Sequence, residues 1–434
     1  MRPSSQQSTQ STRESTRERT RHLVIVGNGM ACHRLIEALV TSPARPAHIT
    51  VIGEEPVPAY NRILLSPLLA GDTDCAALTL REAHWYAEHG ITLRLGERVL
   101  AIDPGKKHVV TERARLDFDA LVLATGSTPA WPTVPGIELQ GVHGFRDLED
   151  AKTLTEIARR GGQAVVIGGG LLGLEAAQGL YQRGRGALSV SVLQRGEHLM
   201  NRQLDAHAGA LLKKTLEARG LNVHTGARLA GLIDDGQGAV AGVALEDGRV
   251  LEASHVVVAA GITPNDLLAR RAGLACDRAV RVDHHLRTSH PAIYALGECC
   301  QFEEHTFGLV EPIWRQVEVL ARVLCGEPGA GYVEAPSATR LKVSGIELYA
   351  FGPVEAAIDH EVLRYSDPES GEYRRLLLKD GRIEGAVLYG DTAQGPWYFH
   401  QAQQGADLSA ARSALLFGQA DVEAFLNSPT QEAA

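Results

Sequence analysis

Two segments of this chain repeat one pattern, and that repeat limits the fold more than any other feature of the sequence. The first runs from an apolar strand, His22–Val26, through Gly27-Asn28-Gly29-Met30-Ala31-Cys32 into a helical stretch reaching Val40. A second strand follows, Ile49–Gly53, with Glu54 at its end. The other segment runs from Ala164–Ile167 through Gly168-Gly169-Gly170-Leu171-Leu172-Gly173 into a helix through Leu180. Its second strand, Leu188–Leu193, ends at Gln194. From first glycine to end-of-strand residue the spacing is 27 in one segment and 26 in the other. In such a turn the first glycine allows the tight bend and the second lets the backbone approach a pyrophosphate. The third lets helix and strand pack closely. The helix N-terminus adds unpaired N–H groups and partial positive charge. A glycine pattern alone is weak, but each of these follows a strand and opens a helix. Two βαβ units with matching spacing predict two dinucleotide-binding domains.

The two units differ where the second strand ends. Glu54 offers a carboxylate to both ribose hydroxyls of an adenosine, which suits FAD. Gln194 is neutral and is followed by the cation Arg195, a pair that repels a 2′-phosphate less, so the reading leaves NADPH and NADH both open. Cys32 stands where the third glycine of the first unit belongs. A small buried residue is expected there, in preference to a reactive thiol.

Three further segments end in glycine turns. Asp119–Ala124 leads into Thr125-Gly126, and Ser254–Ala260 into Gly261-Ile262-Thr263-Pro264-Asn265. The third, from Thr288 through Ile293-Tyr294-Ala295-Leu296 to Gly297-Glu298, reads as a buried strand closing on a glycine and a carboxylate. The glycine lets the backbone approach a flavin pyrophosphate, and the carboxylate accepts from a ribityl hydroxyl. A flavin-type segment so far down the chain implies a split FAD domain with the nicotinamide domain inserted in it. After residue 335 the texture changes to strand-like runs (Leu341–Val343, Tyr373–Leu378, Gly385–Leu388) separated by turns at Ser370-Gly371 and Asp380-Gly381, with a helical end over Asp407–Phe417.

The expected architecture is therefore α/β, with two Rossmann-like domains and a C-terminal α+β domain. The boundaries are a disordered tail over 1–20, an FAD domain over 21–148 and 263–332, an NAD(P)H domain over 149–262, and an α+β interface domain over 333–434. The net charge is −9; five arginines against two glutamates in residues 1–21 leave the remainder at −12. An acidic body argues against nucleic acid as a partner. Six cysteines are scattered without a CxxC pair, poor material for zinc, an iron–sulfur cluster or a disulfide framework, and they suit a reducing cytoplasm. The adjacent Cys299 and Cys300 read as small buried residues, His284-His285 face opposite ways on a strand, and His305 reads as a surface histidine. No apolar run approaches about 18 residues, so no membrane span is expected, and the start of the chain has no apolar signal core.

The order of these motifs resembles the two-dinucleotide-fold flavoprotein reductases, among them rubredoxin and ferredoxin reductases, over residues 22–330. It is most similar to the FAD–NAD(P)H part of assimilatory nitrite reductase large subunits. The similarity lies in Gly27-Asn28-Gly29-Met30, in Ala59-Tyr60-Asn61-Arg62 leading to Leu65-Ser66, in the Gly168–Ala176 run, in Gly297-Glu298-Cys299, and in the closing Leu341–Gly345 and Ala350-Phe351-Gly352 segments. The resemblance implies that Gly27, Gly29, Met30, Glu54, Arg62 and Val99 line the FAD adenosine and pyrophosphate path. Ala124, Thr125 and Gly126 would border it, and Gly297 and Glu298 would hold the ribityl–phosphate end. Pro312 and Ile313 would open a helix whose dipole stabilises reduced flavin. Gly168, Gly170, Leu171, Leu172, Gly173, Gln194, Arg195 and Gly261 would hold NAD(P)H, with Glu175 at the nicotinamide carboxamide.

Two departures stand out. Many relatives carry a lysine after the serine of the Ser66 segment, where this chain has Pro67. Nitrite reductase large subunits also continue into iron–sulfur and siroheme regions that these 434 residues do not contain. The expected acceptor is accordingly a separate redox protein: a nitrate or nitrite reductase catalytic subunit, or a rubredoxin or ferredoxin serving an oxygenase. No CxxxxC pair occurs near residues 59–70, so electrons are expected to leave the flavin directly. A redox-sensing scaffold and a peroxide-forming oxidase are the other readings. A turnover number with a one-electron acceptor separates the first, and oxygen consumption without acceptor the second.

Overall fold

The computed structural model describes residues 21–343 and 345–427. The proposed tail over 1–20 lies outside them. The chain forms two compact units, one of residues 1–58, 81–126 and 266–333, the other of 59–80, 127–265 and 334–434.

The first unit is built on a five-stranded parallel sheet in the order Ile293–Ala295, Ala120–Leu123, His22–Val26, His48–Ile52, Ile91–Arg94. Its strands are nearly uninterrupted Val, Ile and Leu because both faces are covered. Leu23, Val24 and Ile25 are wholly buried. The strand at 293–295 pairs with Ala120–Leu123 at the edge of this sheet, so the unit is discontinuous in sequence. Helices Met30–Val40 and Val310–Leu324 pack together against the core, and a three-stranded antiparallel meander runs over 99–117.

The second unit repeats the plan. Its parallel sheet has the order Asn222–His224, Leu188–Leu193, Gly162–Ile167, His255–Val258, Val142–His143. The boundaries depart from expectation at two places. Residues 127–148 join this unit because Ser127–Pro129 pairs with Ile262–Pro264 and Val142–His143 extends the sheet. Residues 59–80 join it because the helix Leu65–Ala70 seats on the helix Leu171–Gly184. Gly179 leaves room for Leu69, and Arg183 donates from Nε and Nη2 to the carbonyls of Leu69 and Leu68 at 2.9 and 2.8 Å.

The C-terminal part is a five-stranded antiparallel sheet, ordered Thr339–Val343, Ile346–Phe351, Arg382–Tyr389, Glu372–Lys379, Glu361–Asp367. Asp380 and Gly381 both take positive φ, the tight hairpin the sequence announced. The helical end differs from expectation. Residues 407–417 hold two short 3-10 turns, while a regular helix, Gly395–Gln404, precedes them and another, Gln419–Asn427, follows. The Gly395-Pro396 start reads as a turn, yet proline is well tolerated in a helix's first turn. The sheet is tied to the helix Ala206–Ala218. Tyr373 Oη donates to Asp205 Oδ2 at 2.6 Å, and the Tyr389 and Thr215 hydroxyls lie 2.6 Å apart.

Candidate dinucleotide-binding sites

The two glycine turns have nearly the same geometry. Gly27 takes φ +107°, and a Cβ there would lie 2.1 Å from the carbonyl oxygen of Ala124. Gly168 takes φ +127°, and its Cβ would lie 2.2 Å from the oxygen of Ala259. Only glycine fits where the neighbouring strand end comes this close. Gly29 and Gly170, by contrast, have nothing within 4 Å of a built Cβ. They precede helices Met30–Val40 and Leu171–Gly184, neither of which has a side-chain cap. The first-turn N–H groups and the positive helix end therefore stand beside open space, where a pyrophosphate could approach.

In the first unit all but one of the residues expected at FAD belong to the same compact unit as this turn. Gly27, Gly29 and Met30 form the turn and helix start. Val99 and Ala124 are buried beside the sheet, with Thr125 and Gly126 continuing the strand end. Gly297, at φ +86°, donates its N–H to Gln316 Oε1 at 2.8 Å, and its missing Cβ lets it pass Ala31. Pro312 and Ile313 lie buried in the first turn of the helix Val310–Leu324, and Glu298 follows Gly297 in a short 3-10 turn. Glu54 is exposed and pairs with Arg98 at 3.5 Å. Arg62 is the exception: it belongs to the other compact unit, where it donates to the carbonyl of Arg146 at 3.0 Å and lies over the Tyr60 ring.

The residues fit a bound dinucleotide on a further count. Asn28 Oδ1 and Gln316 Nε2 are buried without a hydrogen-bond partner among the described residues, a costly state that a polar ligand relieves. Sequence reading missed Gln316. It is a fully buried amide on the apolar stripe of Pro312, Ile313, Val317 and Leu320, and only the structure shows its burial.

In the second unit Gly168, Gly170, Leu171, Leu172 and Gly173 make the corresponding turn. A Cβ at Gly173 would lie 1.9 Å from the oxygen of Gly168. Its counterpart Cys32 is buried in the core, and burial pushes the thiol up, the packing role expected of it. Gly261 takes φ +125° after the strand His255–Val258 and accepts from the Ala130 N–H at 2.9 Å. Glu175, in the second turn of the helix, accepts from Ser66 Oγ at 2.7 Å. Burial holds its carboxyl above the usual range, against that hydrogen bond.

Gln194 differs from its expected role. Its side chain is spent on the protein: Oε1 accepts from the Gly169 N–H at 3.1 Å, and Nε2 donates to the His198 carbonyl and Asn201 Oδ1 at 3.1 and 3.2 Å. The pairing of positions also shifts by one. Gly27 donates to Ile52 and Gly168 to Leu193, both at 2.8 Å; Gly53 donates to Arg94 and Gln194 to His224, both again at 2.8 Å. Gln194 thus corresponds to Gly53, and the counterpart of Glu54 is Arg195. The spacings of 27 and 26 differ because they end on non-equivalent residues.

Cys299 and Cys300 are free. Cys299 donates to the carbonyls of Leu123 and Leu296, and Cys300 to that of Gly297, while burial raises both thiols. His305 is exposed, and no cluster of His, Cys, Asp and Glu among the described residues is arranged to hold a metal. Among those residues no helix is long and apolar enough to cross a membrane.

Two parallel sheets, each with an open glycine cradle at the mouth of an uncapped helix, define a flavoprotein reductase on two dinucleotide folds. The chain belongs to the pyridine nucleotide-disulphide oxidoreductase family, whose model matches residues 21–319; residues 336–405 match the rubredoxin NAD+ reductase C-terminal domain. It is an FAD-dependent NAD(P)H oxidoreductase. It is 40% identical to a nitrite reductase (NAD(P)H) of Bacillus subtilis, over 90% of this chain and 48% of that protein. It is 36% identical to the assimilatory nitrate reductase electron transfer subunit of the same organism, over 95% and 53%. The chain thus spans about half the length of these relatives. The covalent putidaredoxin reductase–putidaredoxin complex shares the fold at a TM-score of 0.82 and 24% identity, covering 96% of this chain and 100% of that one.

Proposed function

We propose that this chain passes electrons from NAD(P)H through FAD to a separate redox protein, as the reductase component of an assimilatory nitrate or nitrite reduction system in a reducing cytoplasm. The observation that carries the reading is the pair of open cradles, one per unit, in a chain similar to nitrite reductases and to a nitrate reductase electron transfer subunit. In this reading the first unit's turn, the Gly297-Glu298 segment and the start of the helix Val310–Leu324 hold FAD, and the second unit's turn holds the nicotinamide nucleotide.

Bound FAD supplies an acceptor for two electrons that it can release singly. The protein's own contribution is alignment and electrostatics. Uncapped helix ends bind the phosphates. Gln316 Nε2 offers a buried donor beside Gly297. Glu175, held by Ser66 with no lysine following that serine, presents a carboxyl that burial keeps toward its uncharged form. No side chain needs to act as acid or base in the hydride step. The free, protonated thiols leave direct electron transfer as the exit.

Rapid mixing of the purified yellow protein with NADH or NADPH tests the first half: flavin bleaching is expected, and a colourless, unreactive protein overturns it. Reconstitution with a purified nitrate or nitrite reductase catalytic subunit tests the second, with rubredoxin as the competing acceptor. Residues 336–405 favour that rival through their match to a rubredoxin reductase domain. Faster turnover with rubredoxin would replace the nitrate or nitrite assignment.

A further inference from the structure

We infer that the cleft between the C-terminal sheet and the start of the helix Ala206–Ala218 is a further small-molecule site, and that it binds a phosphate group carried by a hydroxylated metabolite. The inference stands apart from the electron-transfer reading and from both glycine turns.

The first support is strand pairing. In the hairpin of Glu361–Asp367 and Glu372–Lys379, Arg364 lies directly opposite Arg375, and Ser366 directly opposite Tyr373. Residues two apart on a strand share a face, so these four side chains form one polar block on one side of the sheet. Leu376, on the other face, lies in the apolar core. Like charges directly opposite one another destabilise a sheet. Two arginines stand there nonetheless, and an anion between them turns their repulsion into binding.

The second support is the state of Arg375. It is only 4% exposed, and an arginine so buried is ordinarily paired. Here the pairing is incomplete. Nη1 donates to the Val354 carbonyl at 2.6 Å. Nε stands 3.4 Å from Asp205 Oδ2 without completing a hydrogen bond, and Nη2 makes none among the described residues. Asp205 is already engaged: Oδ1 accepts from the Ala208 N–H and Oδ2 from Tyr373 Oη. Burial, with Asp205 beside it, pushes the Tyr373 phenol up, so it stays a donor. Across the hairpin Arg364 is exposed and makes no ion pair or hydrogen bond among the described residues. One guanidinium is half-satisfied and the other is free.

The third support is the cleft itself. Its volume is about 370 Å³, within the range of small-molecule sites and larger than one oxyanion fills. The His207 imidazole lies against the Tyr373 ring at 4.6 Å and reaches Ser366 Oγ at 3.4 Å. The N–H groups of Ala206 and His207, in the first turn of a 13-residue helix, have no partner among the described residues and are further donors. Glu355 also lines the cleft, without an ion pair or hydrogen bond among the described residues. It repels a second anionic group and accepts from a hydroxyl, so the ligand is anionic at one end only. A phosphate has oxygens enough for both guanidinium forks, whereas a carboxylate is used up by one.

The test is calorimetric titration of the purified holoprotein with glycerol 3-phosphate, inorganic phosphate and glycerate, in chloride at constant ionic strength, with and without saturating NADP+. Saturable binding of both phosphates is expected, tighter for glycerol 3-phosphate, and glycerate should bind most weakly. Arg364→Gln should weaken glycerol 3-phosphate about tenfold or more, and Arg364→Lys should recover part of the loss. Without ligand, Arg364→Gln should melt no lower than wild type, because it removes a like-charge pair. Absence of saturable binding in wild type, unchanged affinity in Arg364→Gln, or tighter binding of glycerate than of glycerol 3-phosphate would each overturn the inference. A lower melting point of unliganded Arg364→Gln would make the arginine structural and overturn it too. Binding abolished by NADP+ would place the phosphate at the glycine turn, with the same result.

Discussion

The two dinucleotide folds of this chain are one backbone plan carrying different side chains, and their differences fall around the shared glycine turn. Both first glycines sit about 2 Å from a neighbouring carbonyl by their virtual Cβ, and both second glycines face open space. Around these fixed points the side chains change places. In the first unit Asn28 occupies the turn and Gly53 gives way to it. In the second Gly169 gives way and Gln194 fills the gap; a Cβ built on either glycine would lie 2.8 Å from the Cβ of its partner. The third glycine survives in one fold and is Cys32 in the other. Glu54 is answered by Arg195. Seven residues after the first glycine, exposed Arg34 corresponds to half-buried Glu175. Positions fixed by backbone contact are held in both copies, while positions fixed by ligand or packing differ.

The largest expected effect breaks the pair at its shared point. Gly27→Ala and Gly168→Ala each place a methyl group on a carbonyl oxygen at a backbone angle that alanine resists, so each should cost roughly 3 kcal/mol or more. The consequences should divide by fold. Gly27→Ala should purify with little flavin and a lowered thermal midpoint. Gly168→Ala should keep its flavin and lose reduction by NAD(P)H. Loss of flavin by both variants alike would show that the two folds are not independent binding units.

A smaller effect is expected at the third position. Gly173→Cys copies the first unit's residue into the second, where a Cβ would meet the Gly168 oxygen at 1.9 Å. The helix must move away, at a cost of about 1–3 kcal/mol. Cys32→Gly should also destabilise, by about 1–2 kcal/mol, through a lost buried side chain and a glycine in a helix. Denaturant midpoints check both. Two destabilised variants would show that each helix is fitted to its own residue. A neutral Gly173→Cys would show that the helix packing is tolerant.

Much of this was legible in the sequence, because strands of Val, Ile and Leu followed by glycine turns admit few other structures. The split of the first domain was legible for the same reason, since Ile293–Ala295 is a buried strand ending in Gly297. What escaped were matters of one residue or of long range. The shift that pairs Glu54 with Arg195 turns on Gly53, which spacing alone counted as part of the strand. The allegiance of 59–80 depends on Leu69 meeting Gly179 and on Arg183 reaching two carbonyls, more than 100 residues away in sequence. Gln316 was hidden because an amide on a helix reads as surface until its neighbours cover it.

The comparison at Glu175 is sharpened by pH. Burial raises this carboxyl in the folded protein, so the fold binds its proton more tightly than the unfolded chain does. Wild type should therefore lose stability as pH rises from the ordinary carboxylate range through the raised folded value, and show no further loss from this group above it. Glu175→Gln keeps the acceptor for Ser66 and has no proton to lose. Its thermal midpoint relative to wild type should climb across that window, by the equivalent of about 1 kcal/mol. A difference that stays flat with pH would mean the carboxyl is already solvated as an anion.

The smallest effect on stability, and the most discriminating, is expected at the second glycines. Gly29 and Gly170 have ordinary negative φ near −90° and nothing within 4 Å of a built Cβ, so the protein itself does not require glycine at either place. Alanine should leave the ligand-free thermal midpoint unchanged or slightly raised, within about 0.5–1 kcal/mol, because it removes freedom from the unfolded chain. The methyl group would instead occupy the space a pyrophosphate needs. Gly29→Ala should weaken FAD retention with a normal apoprotein fold, and Gly170→Ala should weaken NADP+ binding with normal flavin content. Full retention of both ligands would mean that the open cradles are not where the phosphates lie. Selective loss, each variant losing its own nucleotide, would separate the glycine that the chain needs to turn from the glycine that the ligand needs to approach.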